Sequence, residues 1–132
     1  MALLGIEQGI QAFLEPYLLH NATPAGDLKL HLYTNNHAPT IGDTFANYTE
    51  CTDPGYSVTA LTGANWSFSN VGGVSTASFP MITWTFVGAV TIYGYYVTDA
   101  ATSKLCWAEK FATQLSLGAG QSLNLTPQLT LQ

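Results

Sequence analysis

The segment DLKLHLYT, residues 27–34, places a leucine at every second position. Successive side chains of a β-strand point to opposite faces, so the leucines would face one way and Lys29, His31 and Tyr33 the other. A strand with this pattern has one face in the core and one face outside it. The segment therefore predicts a half-buried β-strand.

The same period of two recurs along the rest of the chain. The further segments are YSVTALT (56–62), NWSFSN (65–70), VSTASF (74–79), ITWTF (82–86), VTIYGYYVTD (90–99), KLCWAEKF (104–111) and SLNLTPQLTLQ (122–132). Turn-forming stretches such as TDPGY and NVGGV separate them. Short strands at this regular spacing are typical of an antiparallel sandwich or barrel, for which a jelly roll is the usual eight-stranded arrangement. We therefore expect an all-β fold, an antiparallel jelly-roll-like β-sandwich of about eight strands.

Several residues of these segments carry more specific expectations. Gly94, inside the strongest strand, predicts a β-bulge or the close approach of another backbone. Pro127 either confines the last strand to a sheet edge or divides it into two shorter strands. The alternation in ITWTF sends large apolar side chains inward, where aromatic residues of other segments are their natural partners. These core residues are Ile82, Trp84, Phe86, Trp66, Phe68, Trp107 and Phe111.

The first twenty residues follow a helical period instead. Apolar side chains recur at spacings of three and four, which is one face of an amphipathic helix. This face consists of Leu3, Ile6, Ile10, Phe13, Leu14 and Tyr17. Pro16 should end or kink the helix, and the turn-rich NATPAGD follows it. We therefore divide the chain into an N-terminal helical arm and linker, residues 1–26, and a β-sandwich domain, residues 27–132.

The composition limits the classes of partner. Charged residues make up only 8% of the 132 residues, against about 25% in an average soluble domain. The chain has no arginine and a net charge of −5, so it lacks the basic surface that a polyanion requires. We therefore expect no nucleic-acid partner and no membrane partner. A surface with so few charges favours association, because few desolvation penalties oppose contact.

The chain has two cysteines, Cys51 and Cys106, which could form one disulfide. The apolar N-terminus does not resemble a signal peptide, because no basic residue precedes it and it carries Glu7 and Glu15. In a protein made in the cytoplasm, free buried thiols are expected rather than a disulfide.

The histidines raise the question of a metal site. His31 lies on the polar face of its strand, His37 lies in the turn TNNHAPT, and His20 lies upstream. A cupin-type site needs an H-x-H pair on one strand face, with a carboxylate and a further histidine, and that pattern is missing. We expect structural or surface roles for all of them and no metal or cofactor. A small metal-dependent cupin enzyme is the third hypothesis, after the two given below.

The carboxylates and tyrosines are the remaining candidates. Asp43, Glu50, Asp53 and Asp99 fall in or beside predicted turns, and Glu109 falls in a strand. A pair of them would hydrolyse glycosides only at a defined spatial separation, so we assign no catalytic residue and expect no enzyme activity.

Three tyrosines, at 93, 95 and 96, share one strand, so some must point outward unless the sheet is covered on both sides. Tyrosine on a sheet surface suits contact with a sugar or with another subunit. Tyr93 and Tyr95 are therefore candidate interface residues, together with Leu3, Ile6, Ile10, Phe13 and Tyr17 of the helix. Packing inside the domain is the alternative for the tyrosines.

The order of these segments resembles a known family. LKLHLYTNNHAPT, GYSVTAL, WSFSN, ITWTFVGAVTIYGYYVTDAATSKLCWAEKF and the final LTPQLTLQ look like the small capsid decoration, or cement, proteins of tailed bacteriophages, including cyanophages. The resemblance covers nearly the whole chain from about Leu28 onward and includes no catalytic signature.

The resemblance implies a jelly-roll virion protein made in the host cytoplasm. Such a protein binds the outer surface of an icosahedral head as a homotrimer and stabilises contacts between copies of the major capsid protein. The alternative hypothesis is a carbohydrate-binding jelly-roll module of a phage tail tip or fibre.

Overall fold

The computed structural model describes residues 4–5, 27–100 and 103–131. No α-helix is present among these residues, which form β-strands and two short 3₁₀ helices, Phe45–Asn47 and Gly63–Asn65. The strands are β1 (Leu4–Gly5), β2 (Leu28–Tyr33), β3 (Thr59–Leu61), β4 (Ser67–Val71), β5 (Val74–Ser78), β6 (Ile82–Thr85), β7 (Val90–Asp99), β8 (Leu105–Leu117), β9 (Ser122–Leu125) and β10 (Gln128–Leu131). All of their pairings are antiparallel, so the all-β class predicted from the sequence is confirmed.

The strands form three sheets. The largest has five strands in the order β1-β8-β7-β2-β3, and its centre is the pairing of the long strands β7 and β8. A three-stranded sheet has the order β10-β5-β4, and β6 pairs with β9 in a two-stranded sheet. Pro127 lies between β9 and β10, so it divides the last predicted strand in two, which was one of its two predicted roles.

The main core contains the leucine face of β2. Leu30 and Leu32 are fully buried, as the alternation of their segment predicts. They pack with side chains from the five-stranded sheet and from β6 and β9, and the other buried members are Cys51, Leu61, Phe79, Trp84, Phe86, Ile92, Tyr95, Val97, Cys106, Trp107 and Leu123. Burying one such large apolar side chain contributes about 1.5–3 kcal/mol, so this cluster supplies most of the driving force for folding.

Phe68 corrects the predicted core. Trp107 is buried, and Trp66 and Phe111 pack half-buried against the core, but Phe68 is 80% exposed. Phe68 lies in β4, which is an edge strand whose residues are all exposed. Alternation in the sequence predicted the strand, but it does not indicate whether the apolar face of a strand is covered.

The polar face of β2 is also covered, which differs from the exposed face predicted for it. Tyr33 is fully buried, and the side chain of His31 is only 13% exposed. Residues 34–50, here called the covering loop, fold back over this face of the sheet. At the two ends of the loop, the N–H of Thr34 donates to the carbonyl of Thr49 at 2.8 Å, and the N–H of Cys51 donates to the carbonyl of Leu32 at 2.9 Å.

A second buried cluster lies beneath the covering loop. It consists of Tyr33, Tyr48, Tyr96, Leu105 and Ala108. The five-stranded sheet is therefore covered on both faces. The three tyrosines of β7 had left two alternatives open, a sheet covered on both sides or tyrosines that point outward, and the first is found.

Both features predicted for Gly94, a β-bulge and the close approach of another backbone, are present. The register between β7 and β8 shifts between Ile92 and Gly94, as in a β-bulge. A Cβ atom at Gly94 would overlap the carbonyl oxygen of Glu109 and would lie 2.7 Å from the hydroxyl oxygen of Tyr33. Glycine is required here because the neighbouring strand and the Tyr33 ring occupy the space of a side chain.

The N-terminal prediction is tested at two residues only. Leu4–Gly5 forms β1, paired with Ala108 and Trp107 of β8, so these two residues lie in a strand where a helix was predicted. The other residues of the predicted arm lie outside the described ranges, among them Leu3, Ile6, Ile10, Phe13, Leu14, Tyr17 and His20. The helical arm and the domain division at residue 26 stay predictions.

We expect Gly94→Ala to lower the free energy of unfolding by about 1–3 kcal/mol, because the new methyl group must displace backbone or the buried Tyr33 ring. Urea unfolding monitored by tryptophan fluorescence measures this difference. The matched control is Gly42→Ala, where a Cβ meets nothing within 4 Å and which should change stability by less than about 0.5 kcal/mol. Equal stability of the two variants would contradict the close packing at Gly94.

Candidate functional site

A buried carboxylate organises the covering loop. Asp43 is 5% exposed. One of its oxygens accepts the Thr40 hydroxyl at 2.6 Å, and the other accepts the Thr40 N–H at 3.0 Å and the Tyr48 hydroxyl at 2.8 Å. That second oxygen also lies 2.7 Å from Nε2 of His37. Four contacts thus tie both halves of the loop to one side chain.

The same contacts determine the ionisation of Asp43. Burial by itself would raise the pKa of this carboxyl, but the hydrogen bonds from Thr40, His37 and Tyr48 outweigh burial and lower the pKa to about 2. Asp43 is therefore a carboxylate at neutral pH. Its negative charge is satisfied within the loop.

His31 is held in a second polar cluster. Its Nδ1 atom lies 3.0 Å from Oε1 of Glu50, and its Nε2 atom lies 2.9 Å from the hydroxyl oxygen of Thr98. The same Glu50 oxygen accepts the Tyr56 hydroxyl at 2.8 Å. Burial, and then this hydrogen bond to Glu50, raise the pKa of Tyr56 well above its ordinary value, so Tyr56 stays a donor.

A row of stacked rings connects the two histidines. His31 stacks on Tyr96 with 4.6 Å between ring centroids, Tyr96 stacks on Tyr48 at 5.0 Å, and Tyr48 meets His37 edge to face at 5.1 Å. Both histidines therefore have structural contacts within and beneath the covering loop. In the described part of the chain, no three side chains of His, Cys, Asp or Glu converge as metal ligands would.

The predicted interface tyrosines differ in exposure. Tyr95 is 1% exposed, and its hydroxyl donates to Oε2 of Glu109 at 2.6 Å. Tyr93 is half-buried beside the second cluster. Tyr95 is therefore packed inside the domain, which was the alternative to an interface role. Tyr93 exposes part of its side chain to solvent. An interface role stays a prediction for this strand.

The remaining candidates have structural roles. Asp53 accepts the N–H groups of Gly55 at 2.7 Å and of Val87 and Gly88, each at 2.8 Å. These hydrogen bonds, that from Val87 foremost, lower the pKa of Asp53 and tie the TDPGY turn to the β6–β7 connection.

Cys51 and Cys106 are free and buried, as predicted. Burial raises the pKa of both thiols, that of Cys106 to about 12, so both are protonated and unreactive at neutral pH.

Charged side chains are distributed unevenly along the chain. Residues 54–98 and 111–132 contain no Asp, Glu, Lys, Arg or His. These ranges include all of β4, β5 and β10, the strands of the three-stranded sheet, here called the neutral sheet. They also include β6 and β9. These strands therefore carry no side chain of these types, and carboxylates reach residues of the two ranges from outside at Gly63, bonded to Asp27, and at Val87 and Gly88, bonded to Asp53.

The neutral sheet has an apolar row across one face. Phe68, Ala77 and Leu129 are opposite one another in register, and a cavity of about 160 Å³ lies between them and Leu28, Trp66 and Trp107. The opposite face carries short polar side chains, which include Ser67, Ser69, Thr76, Ser78, Gln128 and Thr130. The sheet is thus amphipathic without being charged.

Comparison with known proteins assigns no family. No protein-family model matches the chain, and no curated protein matches it. The likeness to phage decoration proteins therefore stays a resemblance of strand pattern and short phrases. Among the residues that the structure describes, no helix is long and apolar enough to cross a membrane.

We expect Asp43 to make stability depend on acid pH. The pKa of this group falls from 3.8 to about 2 on folding, so its contribution is complete above about pH 4 and is lost as the pH falls toward 2. At about 1.4 kcal/mol per pKa unit, this loss amounts to about 2 kcal/mol.

Urea unfolding of wild type and Asp43→Asn at neutral pH and near pH 2 measures this loss. The variant should be less stable at neutral pH and should lose less stability in acid. The control is Ala46→Ser in the same loop, which changes no titratable group and should keep the wild-type pH dependence. If the free energy of unfolding of Asp43→Asn fell with acid pH as much as that of wild type, the loop would be held by other contacts.

Proposed function

We propose that this chain is a structural virion protein, a capsid decoration or cement protein of a tailed phage. It binds the outer surface of the icosahedral head as a homotrimer and stabilises contacts between copies of the major capsid protein. In this proposal it is not an enzyme, has no cofactor, is made in the host cytoplasm, and binds neither nucleic acid nor membrane.

The observation that carries the proposal is a set of exposed, large apolar side chains on a domain with very little charge. These are Ile41, Phe45, Val58, Phe68, Val71, Met81 and Val87, which are 39–80% exposed. Only Ile41 and Phe45 lie outside the two ranges that lack Asp, Glu, Lys, Arg and His. Apolar surface of this kind favours contact with another protein, because its burial releases water and leaves no charge unpaired.

The covering loop supports a docking role for one part of this surface. Ile41 and Phe45 are 59% and 51% exposed, and they flank Asp43 in the loop. Because Asp43 fixes the loop through Thr40, His37 and Tyr48, little further ordering is needed when the two apolar side chains meet a partner. We assign this pair to contact with the capsid.

Stabilisation of the head follows from mass action. A protein that binds the assembled shell but not its separated subunits shifts the equilibrium toward the shell, by about 2.7 kcal/mol when its free concentration is 100 times its Kd. A trimer that touches several capsid subunits gains effective concentration for each contact after the first. Weak individual contacts are therefore sufficient for tight decoration.

The finer features of the fold belong to the same proposal. The strand pattern and the antiparallel pairing support a jelly-roll topology for residues 27–132. An N-terminal helical arm is supported by the three-to-four spacing of its apolar residues, and in the proposal it contacts a neighbouring subunit or the capsid. Its contact residues are Leu3, Ile6, Ile10, Phe13 and Tyr17, with the half-buried Tyr93 as a further candidate, whereas Tyr95 is buried in the core.

We expect purified protein to bind undecorated, expanded phage heads and to raise their unfolding temperature. Cosedimentation gives the Kd, and differential scanning calorimetry gives the stabilisation. Replacing both Ile41 and Phe45 by serine should weaken binding at least about tenfold, which is about 1.4 kcal/mol. The matched control is Ala46→Ser in the same loop, which adds a hydroxyl group to a small exposed side chain without removing a large apolar group and should bind as wild type.

A glycan array tests the carbohydrate-binding alternative in parallel. Tyr95 and Tyr96, two of the tyrosines that suggested a sugar site, are buried within the domain. Selective glycan binding without uptake onto heads would reject the decoration proposal. Head binding without glycan binding is the expected result.

A further inference from the structure

The outer edge of β4 lies open at the end of the neutral sheet. All residues of Ser67–Val71 are exposed, and among the described strands only β5 pairs with β4. The pairing with β5 runs without a register shift from Ser67–Ser78 to the two-residue turn at Gly72 and Gly73. Natural edge strands are usually blunted by proline, lysine, a bulge or a covering segment. The sequence of β4, SFSNV, contains no proline and no charged residue.

The side chains of β4 are suited to a strand that pairs alongside it. Phe68 and Val71 are 80% and 76% exposed and, being three residues apart, lie on opposite faces of the strand. A partner packed on one face of the sheet would bury only one of them. A strand added at the edge places cross-strand neighbours next to both, about 5 Å away. The exposed pair therefore favours edge pairing over contact with either face.

The distribution of charge identifies the occupant as a second copy of this chain. Each copy has a net charge of −5, so two copies repel one another wherever their charged surfaces meet. The strands of the neutral sheet contain no Asp, Glu, Lys, Arg or His, so copies that meet edge to edge there bring few like charges together. A highly charged partner would find no complementary charge at this edge. The other edge of the same sheet, β10, also carries no charged residue, so β4 of one copy can pair head to tail with β10 of the next, a geometry that can close into a ring of three.

We propose that copies of this chain associate through the neutral sheet, with β4 of one copy pairing with the β10 edge of the next and burying Phe68 and Val71. This surface supplies the contact between subunits in the homotrimer of the proposed function, and the inference rests on that function only for the number of copies. The capsid contact assigned to Ile41 and Phe45 lies in a different segment of the chain.

Sedimentation velocity of the full chain tests the proposal over about 1–100 µM, a range that resolves the Kd of typical weak oligomers. Wild type should self-associate, and the double variant Phe68→Ser/Val71→Thr should weaken self-association at least about 100-fold, because it removes both buried contacts. Both side chains are exposed, so the variant should unfold at the wild-type temperature. The matched control Ile41→Ser/Phe45→Ser removes similar exposed apolar groups from the covering loop and should associate as wild type.

Hydrogen exchange of wild-type protein gives a second, mutation-free readout. Amides of β4 should exchange more slowly as protein concentration rises, while those of the covering loop should not change. The proposal is overturned if wild type is monomeric throughout the range, if the Phe68→Ser/Val71→Thr variant associates as wild type, or if β4 exchange is independent of concentration.

The two proposals fail in different ways. A monomer that still cosediments with expanded heads would overturn the inference about β4 and leave the decoration role standing. An oligomer that assembles through β4 but does not bind heads would keep the inference and reject the decoration role.

Discussion

Burial of both faces of the central strands β2 and β7 is the constraint on which the rest of the structure depends. Leu30 and Leu32 on one face are covered by the main core, and His31 and Tyr33 on the other are covered by the covering loop. A polar face can be buried only when each donor and acceptor finds a partner. The covering loop supplies those partners, so it is part of the folded core and not an appendage to it.

The loop combines a buried charge with stacked rings, and the two depend on each other. Asp43 needs the donors of Thr40, His37 and Tyr48, since an unpaired carboxylate at this depth would cost several kcal/mol. Tyr48 in turn stacks on Tyr96 of the sheet, so the loop and the sheet share one cluster of side chains. A loop fixed in this way holds Ile41 in one position at the surface. In the proposed function this rigidity lowers the entropy lost on binding.

Sequence patterns predicted what depends on local chemistry. The period of two located β2, β4 to β7, β9 and β10 within a few residues. The predicted strand KLCWAEKF stops at residue 111, but β8 continues to Leu117 because these further residues also pair with β7. Gly94 lies at a bulge and Pro127 between two strands, as their backbone limits predicted. Patterns could not predict what depends on tertiary order. Whether Phe68 is in the core or exposed depends on the place of β4 in its sheet, and alternation carries no information about that place. The role of Asp43 was also hidden, because its partner Tyr48 becomes a neighbour only after the loop folds.

The unequal distribution of charge bears on the proposed association between copies. A net charge of −5 opposes most orientations of two copies, while the neutral sheet offers one orientation with a smaller penalty. An apolar edge such as β4 is an aggregation hazard on a chain that uses it in no assembly. Thr76 and Thr130 lie on the same face of the sheet as Val71, so polar groups limit the exposed apolar area at this edge to a narrow strip. In the proposed function, a contact of that size is weak for one pair of copies and becomes strong because a shell holds many copies in register.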